Sequence, residues 1–416
     1  MIIGKGSENE PLSEIQVREL CSDAFALKNL CGKKILAIIP DTTRSGPMDM
    51  MFRIVYGLLA CGSKTLDFLV ATGTHHPMSQ EAIYQHLGIT KEEHINTYWK
   101  TRFYSHNAMD TGHLKHLVTF SEDEIAEISC GLLRKEVNVT INTMIYDYDV
   151  LLIIGPTFPH ETMGFSGGHK YFFPGICGEE IINTFHWIGA LVTCPASVGI
   201  KNTPMRRLIN RAAEFIPKEH LCVNLVVKKR DIYGLYIGPP KETFSAAADL
   251  SDKIHIVYMD HPFQRVLSCP SPMYDEIWTG GKGMVKLESV VADGGELILY
   301  SPYITHLSGT YGHLLEEVGY HVRDYFIKQW DRFKDYNTNV LAQSCNVRGI
   351  GTYENGIEKS RIKVTLATQL SKELCDKINF GYCDYRTINP EEWKDREDEG
   401  ILYVPNAGEI LYLLKN

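Results

Sequence analysis

The sequence has no basic excess, no long apolar run and no paired-cysteine spacing. Lys and Arg number 42 against 51 Asp and Glu, a formal net charge of −9 over 416 residues. Nucleic-acid binders usually carry a basic excess or a basic stripe, so that partner class is set aside. An anionic substrate must then be held by local cations or backbone N–H groups. No apolar stretch approaches the ~18 residues of a membrane-spanning helix. The opening MIIGKGSENEPLSE is polar, so neither a membrane span nor a signal peptide is expected. None of the 11 cysteines forms a CxxC, and no four take zinc-finger spacing. Scattered thiols in odd number read as reduced core cysteines and point to a reducing, cytoplasmic compartment. An HExxH pair, an internal repeat and a low-complexity tract are absent as well.

What is present fits a globular chain of two domains. Hydrophobic residues make up 44%, enough for a sizeable core, and the length suits two domains. KILAIIPD (34–41), LDFLVATGTHH (66–76) and YDVLLIIGPTFPH (148–160) are short apolar runs that end in polar residues. Each is followed by a turn rich in Gly, Pro or Thr and then by a helical pattern. That alternation predicts an α/β fold of two α/β domains with mainly parallel sheets. CVNLVVKK is a further strand candidate. The three prolines of DHPFQRVLSCPSP (260–272) suggest a linker, which divides the chain into residues 1–260 and a smaller domain, 261–416. In the latter, YDEIWTGG and GGELILYSPY read as strands, and KLESVVADGGELILY as helix, Gly–Gly turn and strand. In layered α/β folds ligands sit outside the carboxyl ends of the strands, where all three runs place their polar residues.

Four constellations could carry chemistry. DTTRSGP supplies Asp41, hydroxyls at Thr42, Thr43 and Ser45, and the planar fork of Arg44, suited to phosphate or carboxylate. It reads equally well as a helix N-cap with a surface arginine. ATGTHHP offers His75 and His76, whose side chains point opposite ways on an extended chain, so one of them faces a site. The stretch GPTFPHETMGFSGGHKYFFPGICGEEIINTFH brings His160, His169, Lys170 and His186 around a glycine-rich turn. There Gly164, Gly167 and Gly168 would let backbone approach a phosphate, with the following amides opening a helix. The partly apolar setting of Lys170 suits covalent chemistry. Finally, EIWTGGKGM places Lys282 after a glycine pair at a strand end, as an active-site cation or as a solvated surface lysine.

These motifs resemble the nickel-pincer-nucleotide lactate racemases and their relatives of wider 2-hydroxy-acid specificity. DxTR, TGxH and PH…GFSGG-x-K…PG…H stand here as DTTR, TGTH and PHETMGFSGGHKYFFPGICGEEIINTFH, and the likeness extends from about Asp41 to Gly295. The resemblance implies a nickel-pincer nucleotide (a nickel pyridinium bisthiocarboxylic acid mononucleotide) joined to Lys170 through a thioamide, with His186 completing the nickel's coordination. Residues 1–260 would be the cofactor-binding domain. Residues 261–416 would close over the substrate, with the active site in the interdomain cleft. His75 and His160 would be the two proton-transfer bases, and Asp41, Thr43, Arg44, Ser166, Gly167 and Gly168 would line the cofactor site. Lys282, with Arg44, would hold the substrate carboxylate. The implied partners are a small 2-hydroxy acid and the enzymes that build the cofactor.

The required chemistry agrees. Inverting a 2-hydroxy acid means breaking a C–H bond that is not acidic, and a hydride acceptor is the easier route. Such a route needs two bases on opposite sides, a cation for the carboxylate and a nickel site with soft ligands. The chain departs from lactate-specific members in Trp278 and Thr279, where those have a Tyr–Gln pair, in His76, and in the extra His169. A more polar pocket would follow, suited to a larger hydroxylated substrate such as a sugar acid. Two other readings use the same residues. One is a zinc hydrolase on His75, His76, His160 and His186, which would need three protein ligands plus water. The other is a non-catalytic nucleotide-binding or sensor protein.

Overall fold

A computed structural model describes residues 1–415. The apolar runs form strands because each is buried on both faces, the environment of a parallel sheet covered by helices. The first sheet has seven strands: β1 (Ile3–Gly6), β2 (Lys34–Pro40), β3 (Thr65–Ala71), β4 (Phe103–Ser105), β5 (Val150–Pro156), β6 (Glu219–Lys228) and β7 (Asp231–Gly238). Their order is β1-β7-β6-β5-β2-β3-β4. The pairings from β6 to β4 are parallel, and β7 pairs antiparallel with both β6 and β1. Helix α1 (Glu14–Ala26) starts at a capping box made by Ser13 and Gln16. It buries Val17, Cys21, Ala24 and Phe25, one face at helical spacing, in the same core as Phe52 and Val55 of α2 (Met48–Leu59) and Ile35, Ala37 and Ile39 of β2.

A second sheet contains β8 (Phe263–Pro270), β9 (Val291–Ser301), β10 (Lys363–Thr368), β11 (Gly381–Tyr382) and β12 (Ile401–Ala407), in the order β11-β10-β9-β8-β12. Every pairing in it is parallel. The expected mixture of helices and mainly parallel sheets is therefore the fold. No helix among the described residues is long and apolar enough to cross a membrane.

Three sequence expectations fail in the second half. The proline-bearing stretch 260–272 is no linker, because its middle is β8, hydrogen-bonded on both sides. Phe263, Val266 and Leu267 are fully buried there. Its prolines lie before the strand, at its last residue and beyond it, where a missing N–H breaks no ladder. YDEIWTGG is not a strand either, since Ile277–Gly280 is a short helical turn and Lys282–Val285 another. Lys282 thus opens a helical turn rather than ending a strand. Gly294 and Gly295 lie inside β9 rather than in a turn before it. Gly294, at φ +75°, absorbs the register shift between β8 and β9.

The chain divides into two compact units that are not consecutive. The first comprises 1–158, 165–182 and 206–254, and the second 159–164, 183–205 and 255–416. Residues 159–164 and 183–205, assigned from sequence to the first domain, belong with the second unit. A split at one position could not show this, because the stretch that carries the histidines crosses repeatedly.

Candidate active site

Strand order opens a crevice in the first unit, where several of the candidate residues lie. From β2 the chain moves outward to β3 and β4, then returns to the other side of β2 as β5. The turns after β2 and β5 therefore run in opposite directions. Such a switch point opens a crevice at the carboxyl ends of the strands. DTTRSGP follows β2, ATGTHHP follows β3 and GPTFPH follows β5.

Asp41, at the end of β2, is buried. Its Oδ1 accepts the Thr43 amide at 3.1 Å and the Thr43 hydroxyl at 2.6 Å, and its Oδ2 meets His75 Nδ1 at 2.6 Å. Burial alone would raise this carboxyl. The charge and hydrogen bond of His75, then Arg44 and the Thr43 hydroxyl, hold it well below the carboxylate range. Arg44 donates to the Thr43 hydroxyl at 3.1 Å and lies over the Phe158 ring. The N-cap alternative does not hold for Asp41, since α2 begins after Pro47 without a side-chain cap. Of the adjacent histidines, His75 is half-buried and bonded to Asp41 while His76 is exposed.

The His75 turn packs on the turn that carries Lys170. Gly73, at φ +58°, donates its amide to Gly175 O at 3.1 Å. Gly175 in turn lies so close that a Cβ would stand 2.0 Å from Tyr171 O. Lys170 sits in a single 3-10 turn, Gly168–Tyr171, half-buried among buried neighbours.

The glycines before it act differently from the phosphate cradle expected. The Gly168 amide donates to Asn224 Oδ1 at 3.1 Å, and a Cβ on Gly167 would meet Thr157 Oγ1 at 2.1 Å. A Cβ on Gly164 would run into Ile200 O at 1.8 Å. Ser166 donates to Pro156 O and accepts from the Phe158 amide, both at 3.0 Å. Gly164, Gly167, Gly168 and Ser166 therefore lock the turn against the protein, and four residues of 3-10 helix contribute little dipole. What the turn presents is Lys170.

Two residues that sequence reasoning missed hold this turn. Asn224 interrupts the apolar run of β6 and also donates to the Thr243 hydroxyl at 2.9 Å. Arg206, buried, donates to Gly167 O at 2.9 Å and to Phe165 O, with its guanidinium 3.9 Å from the Phe244 ring centre. A polar residue within a buried strand was a legible signal for the first. Nothing in PMRRLIN distinguishes Arg206 from Arg207. His169 is buried, its Nδ1 donating to Asn210 Oδ1 at 2.9 Å, and stacked on Phe172. Burial, against the Asn210 bond, pulls its pKa down to about 3, so this extra histidine is a neutral packing group.

The second unit holds the other candidates. His160 is buried, and its Nδ1 accepts the Thr162 and Met163 amides at 3.2 and 3.4 Å. Glu161 Oε2 lies 3.7 Å from the same nitrogen. Burial would raise the Glu161 carboxyl, but His160, Lys282 and Lys286 hold it well below its usual range. Lys282 is half-buried, its Nζ 5.4 Å from the Tyr274 ring centre. Lys286, one helical turn on, is almost fully buried and donates to Glu409 O at 2.9 Å. Neither Glu161 nor Lys286 was singled out from sequence, though Glu161 follows His160 directly. Thr279 turns its hydroxyl back to Glu276 O, and the Trp278 ring lies 5.0 Å from that of Tyr311. His186 lies in α3 (Glu179–Val192), half-buried, its ring 4.5 Å from that of Phe185.

Among the described residues, no three His, Cys, Asp or Glu side chains are grouped to hold a metal ion. The triad needed by a zinc hydrolase is not formed by His75, His76, His160 and His186. A group that brings its own metal ligands would ask less of the chain: a primary amine for a covalent link, as on Lys170, and one imidazole donor, as on His186.

These features define an α/β protein with a carboxylate–histidine pair and a presented lysine at a switch point of its parallel sheet. Residues 20–197 match the family model described as the lactate racemase N-terminal domain. The lactate racemase of Lactiplantibacillus plantarum is 24% identical over 312 residues, 71% of this chain and 66% of that protein. The lactate racemase of Thermoanaerobacterium thermosaccharolyticum is 22% identical over 64% of this chain and 59% of its own length. The matches thus span less than two thirds of each curated relative, 66% and 59%. A crystal structure of a Thermotoga maritima protein superposes with a TM-score of 0.89 at 32% identity, covering 99% of this chain and 100% of that one. The lactate racemase apoprotein of T. thermosaccharolyticum shares the fold, with a TM-score of 0.71 at 18% identity over 98% and 94%. Over residues 20–197 the chain is thus similar to the lactate racemase N-terminal domain, and at lower identity to two lactate racemases.

Proposed function

We propose that this protein is a racemase or epimerase of a 2-hydroxy acid, dependent on a nickel-pincer nucleotide and working in a reducing, cytoplasmic setting. The observation that carries the reading is the 2.6 Å contact of Asp41 Oδ2 with His75 Nδ1 in the unit that presents Lys170. An ionised carboxylate only accepts, so it fixes the ring proton on Nδ1 and leaves Nε2 bare, as a general base requires. Lys170 would carry the cofactor and His186 would ligate its nickel, one imidazole among softer donors. When bound, that group supplies a hydride acceptor for the substrate's C2.

The chain's own residues do the rest. His75 takes the hydroxyl proton of one stereoisomer, and His160 serves the other. Lys282 and Arg44 hold the carboxylate. Trp278 and Thr279 in place of a Tyr–Gln pair, together with the charged neighbours Glu161 and Lys286, favour a larger hydroxylated acid such as a sugar acid over lactate. Enzymes that build the cofactor are the implied partners.

The test is to produce the protein alongside those enzymes, measure its intact mass and map any adduct by peptide. The protein should carry an added mass on the peptide containing Lys170 and interconvert the two forms of a 2-hydroxy acid. Lys170→Ala should lose both while staying folded. Wild-type turnover in Lys170→Ala would overturn the reading.

A further inference from the structure

The two histidines differ at Nδ1. At His75 the partner is a carboxylate, so the neutral ring keeps its proton on Nδ1. At His160 the partners are the amides of Thr162 and Met163. A nitrogen that accepts from amides holds no proton, so the neutral ring carries its proton on Nε2. In that form His160 can give a proton at Nε2 but cannot take one there. Once Nε2 has given its proton, the ring would be an anion unless Nδ1 has gained one. The acceptor at hand for a proton on Nδ1 is Glu161, whose Oε2 stands 3.7 Å away. That is longer than a hydrogen bond, so the carboxylate would have to turn toward the ring to pair with it.

We propose that Glu161 is the positioning residue that lets His160 carry a proton on Nδ1, so that Nε2 can both release and accept one. The proposal rests on the reading of His160 as a proton-transfer group. The proton ledger closes without an oxidant or co-reactant. The doubly protonated ring, paired with Glu161, breaks its Nε2–H bond as the O–H bond of the substrate forms. The ring is left neutral with its proton on Nδ1, facing Glu161. The reverse transfer restores the first state.

The surroundings keep Glu161 in the form this requires. The hydroxyl of Ser197 donates to its backbone carbonyl at 3.3 Å, which anchors the residue. The charges facing its carboxylate are those of Lys282 and Lys286, besides His160 itself. Cys194, on the turn after α3, also faces it. That thiol is raised well above its usual range by burial first, with Glu288, Glu161 and Cys345 adding to the rise, so it stays neutral. Glu161 is therefore ionised, with Lys282 and Lys286 as nearby opposite charges, ready to pair with a cationic ring.

Ring-nitrogen NMR of the full chain, labelled at histidine, tests this without any cofactor. His160 is assigned by comparison with His160→Gln. In Glu161→Gln the midpoint at which His160 becomes doubly protonated should move down by about one pH unit, about tenfold in proton affinity, the effect of losing an opposite charge at this range. Glu161→Asp, whose shorter side chain keeps the charge, should fall between the two. The His75 signals should not move and serve as the internal control. An unmoved His160 midpoint in folded Glu161→Gln overturns the proposal. Should that variant fail to fold, a His160 midpoint in Glu161→Asp equal to wild type overturns it. In loaded protein the outcomes separate. Absence of turnover in wild type removes the proposed function and leaves the titration result standing. An active enzyme whose pH profile is the same in Glu161→Gln removes only the role of Glu161.

Discussion

The Asp41–His75 pair and the Glu161–His160 pair set a histidine against a carboxylate in two different ways. The first is a closed contact of 2.6 Å at the end of a sheet strand, with a half-exposed ring. The second is open at 3.7 Å, its ring buried and held by two amides. A closed pair keeps one tautomer and, in the proposed mechanism, would make a resident base. An open pair lets amides and carboxylate compete, so the ring's tautomer follows its protonation state. Interconversion of two mirror-related forms needs one group poised to take a proton while the other is poised to give one. The two environments differ in that sense.

The comparison breaks most completely when either ring is removed. His75→Ala and His160→Ala should each lower turnover by about 10²–10⁴-fold, the usual worth of a positioned general base, measured as interconversion rates in both directions with loaded enzyme. If only one of them matters, the two-base account is wrong.

Asp41→Asn comes next. An amide in place of the carboxylate can donate to Nδ1 and set the wrong tautomer at His75, an exchange that costs a catalytic histidine about 10⁴-fold where it is best known. We expect a loss of about 10²-fold or more in kcat with little change in KM. A loss confined to KM would show that Asp41 binds substrate instead of orienting the ring. Glu161→Gln should cost less, about tenfold, because its pair is open, and the loss should depend on pH. Equal losses in the two carboxylate variants would erase the distinction between the pairs.

The last effect is on stability rather than turnover and concerns histidines outside both pairs. His106 accepts from Asn142 and donates to Cys177 O, and burial pulls its pKa down to about 4. With His169 at about 3, two rings stay neutral in the fold at pH values where an unfolded histidine, at about 6.5, is charged. Their contribution to stability is complete above about pH 6.5 and falls as pH drops toward 4, because the unfolded chain then binds protons that the fold does not. The loss is on the order of a few kcal/mol. Thermal unfolding followed from about pH 7 to about pH 4.5 should show a falling midpoint, and His106→Asn should flatten the slope. A slope unchanged in that variant would mean that other groups set the acid sensitivity.

The strands of the first sheet were legible because a strand buried on both faces must be apolar throughout, as KILAIIP and VLLIIGP are. The same logic misled at DHPFQRVLSCPSP, where prolines at the ends of β8 look like a broken chain until the pairing on either side is known. At the site, His75 is half-buried and His76 exposed, but both lie in the turn after β3, so the alternation of an extended chain is not what separates them. The partner of His75, Asp41, lies 34 residues away, and a link of that separation is invisible without the β2–β3 register. The glycines of GFSGG were read as room for a phosphate. The structure fills that room with Thr157, Asn224 and Ile200, because close packing of backbone demands glycine as surely as a ligand does. Of the cysteines, Cys21, Cys177, Cys194, Cys222, Cys345 and Cys375 are buried free thiols as expected, while Cys31, Cys61 and Cys130 are exposed.

The central claim is that hydrogen leaves C2 as hydride and returns to the same carbon while two histidines handle only the hydroxyl proton. Loaded enzyme given a 2-hydroxy acid deuterated at C2, in ordinary water, tests it directly by mass spectrometry of the inverted product. The account predicts that the product keeps its deuterium. Product that has exchanged deuterium for solvent hydrogen would contradict it, since His75 and His160 would then be acting on carbon.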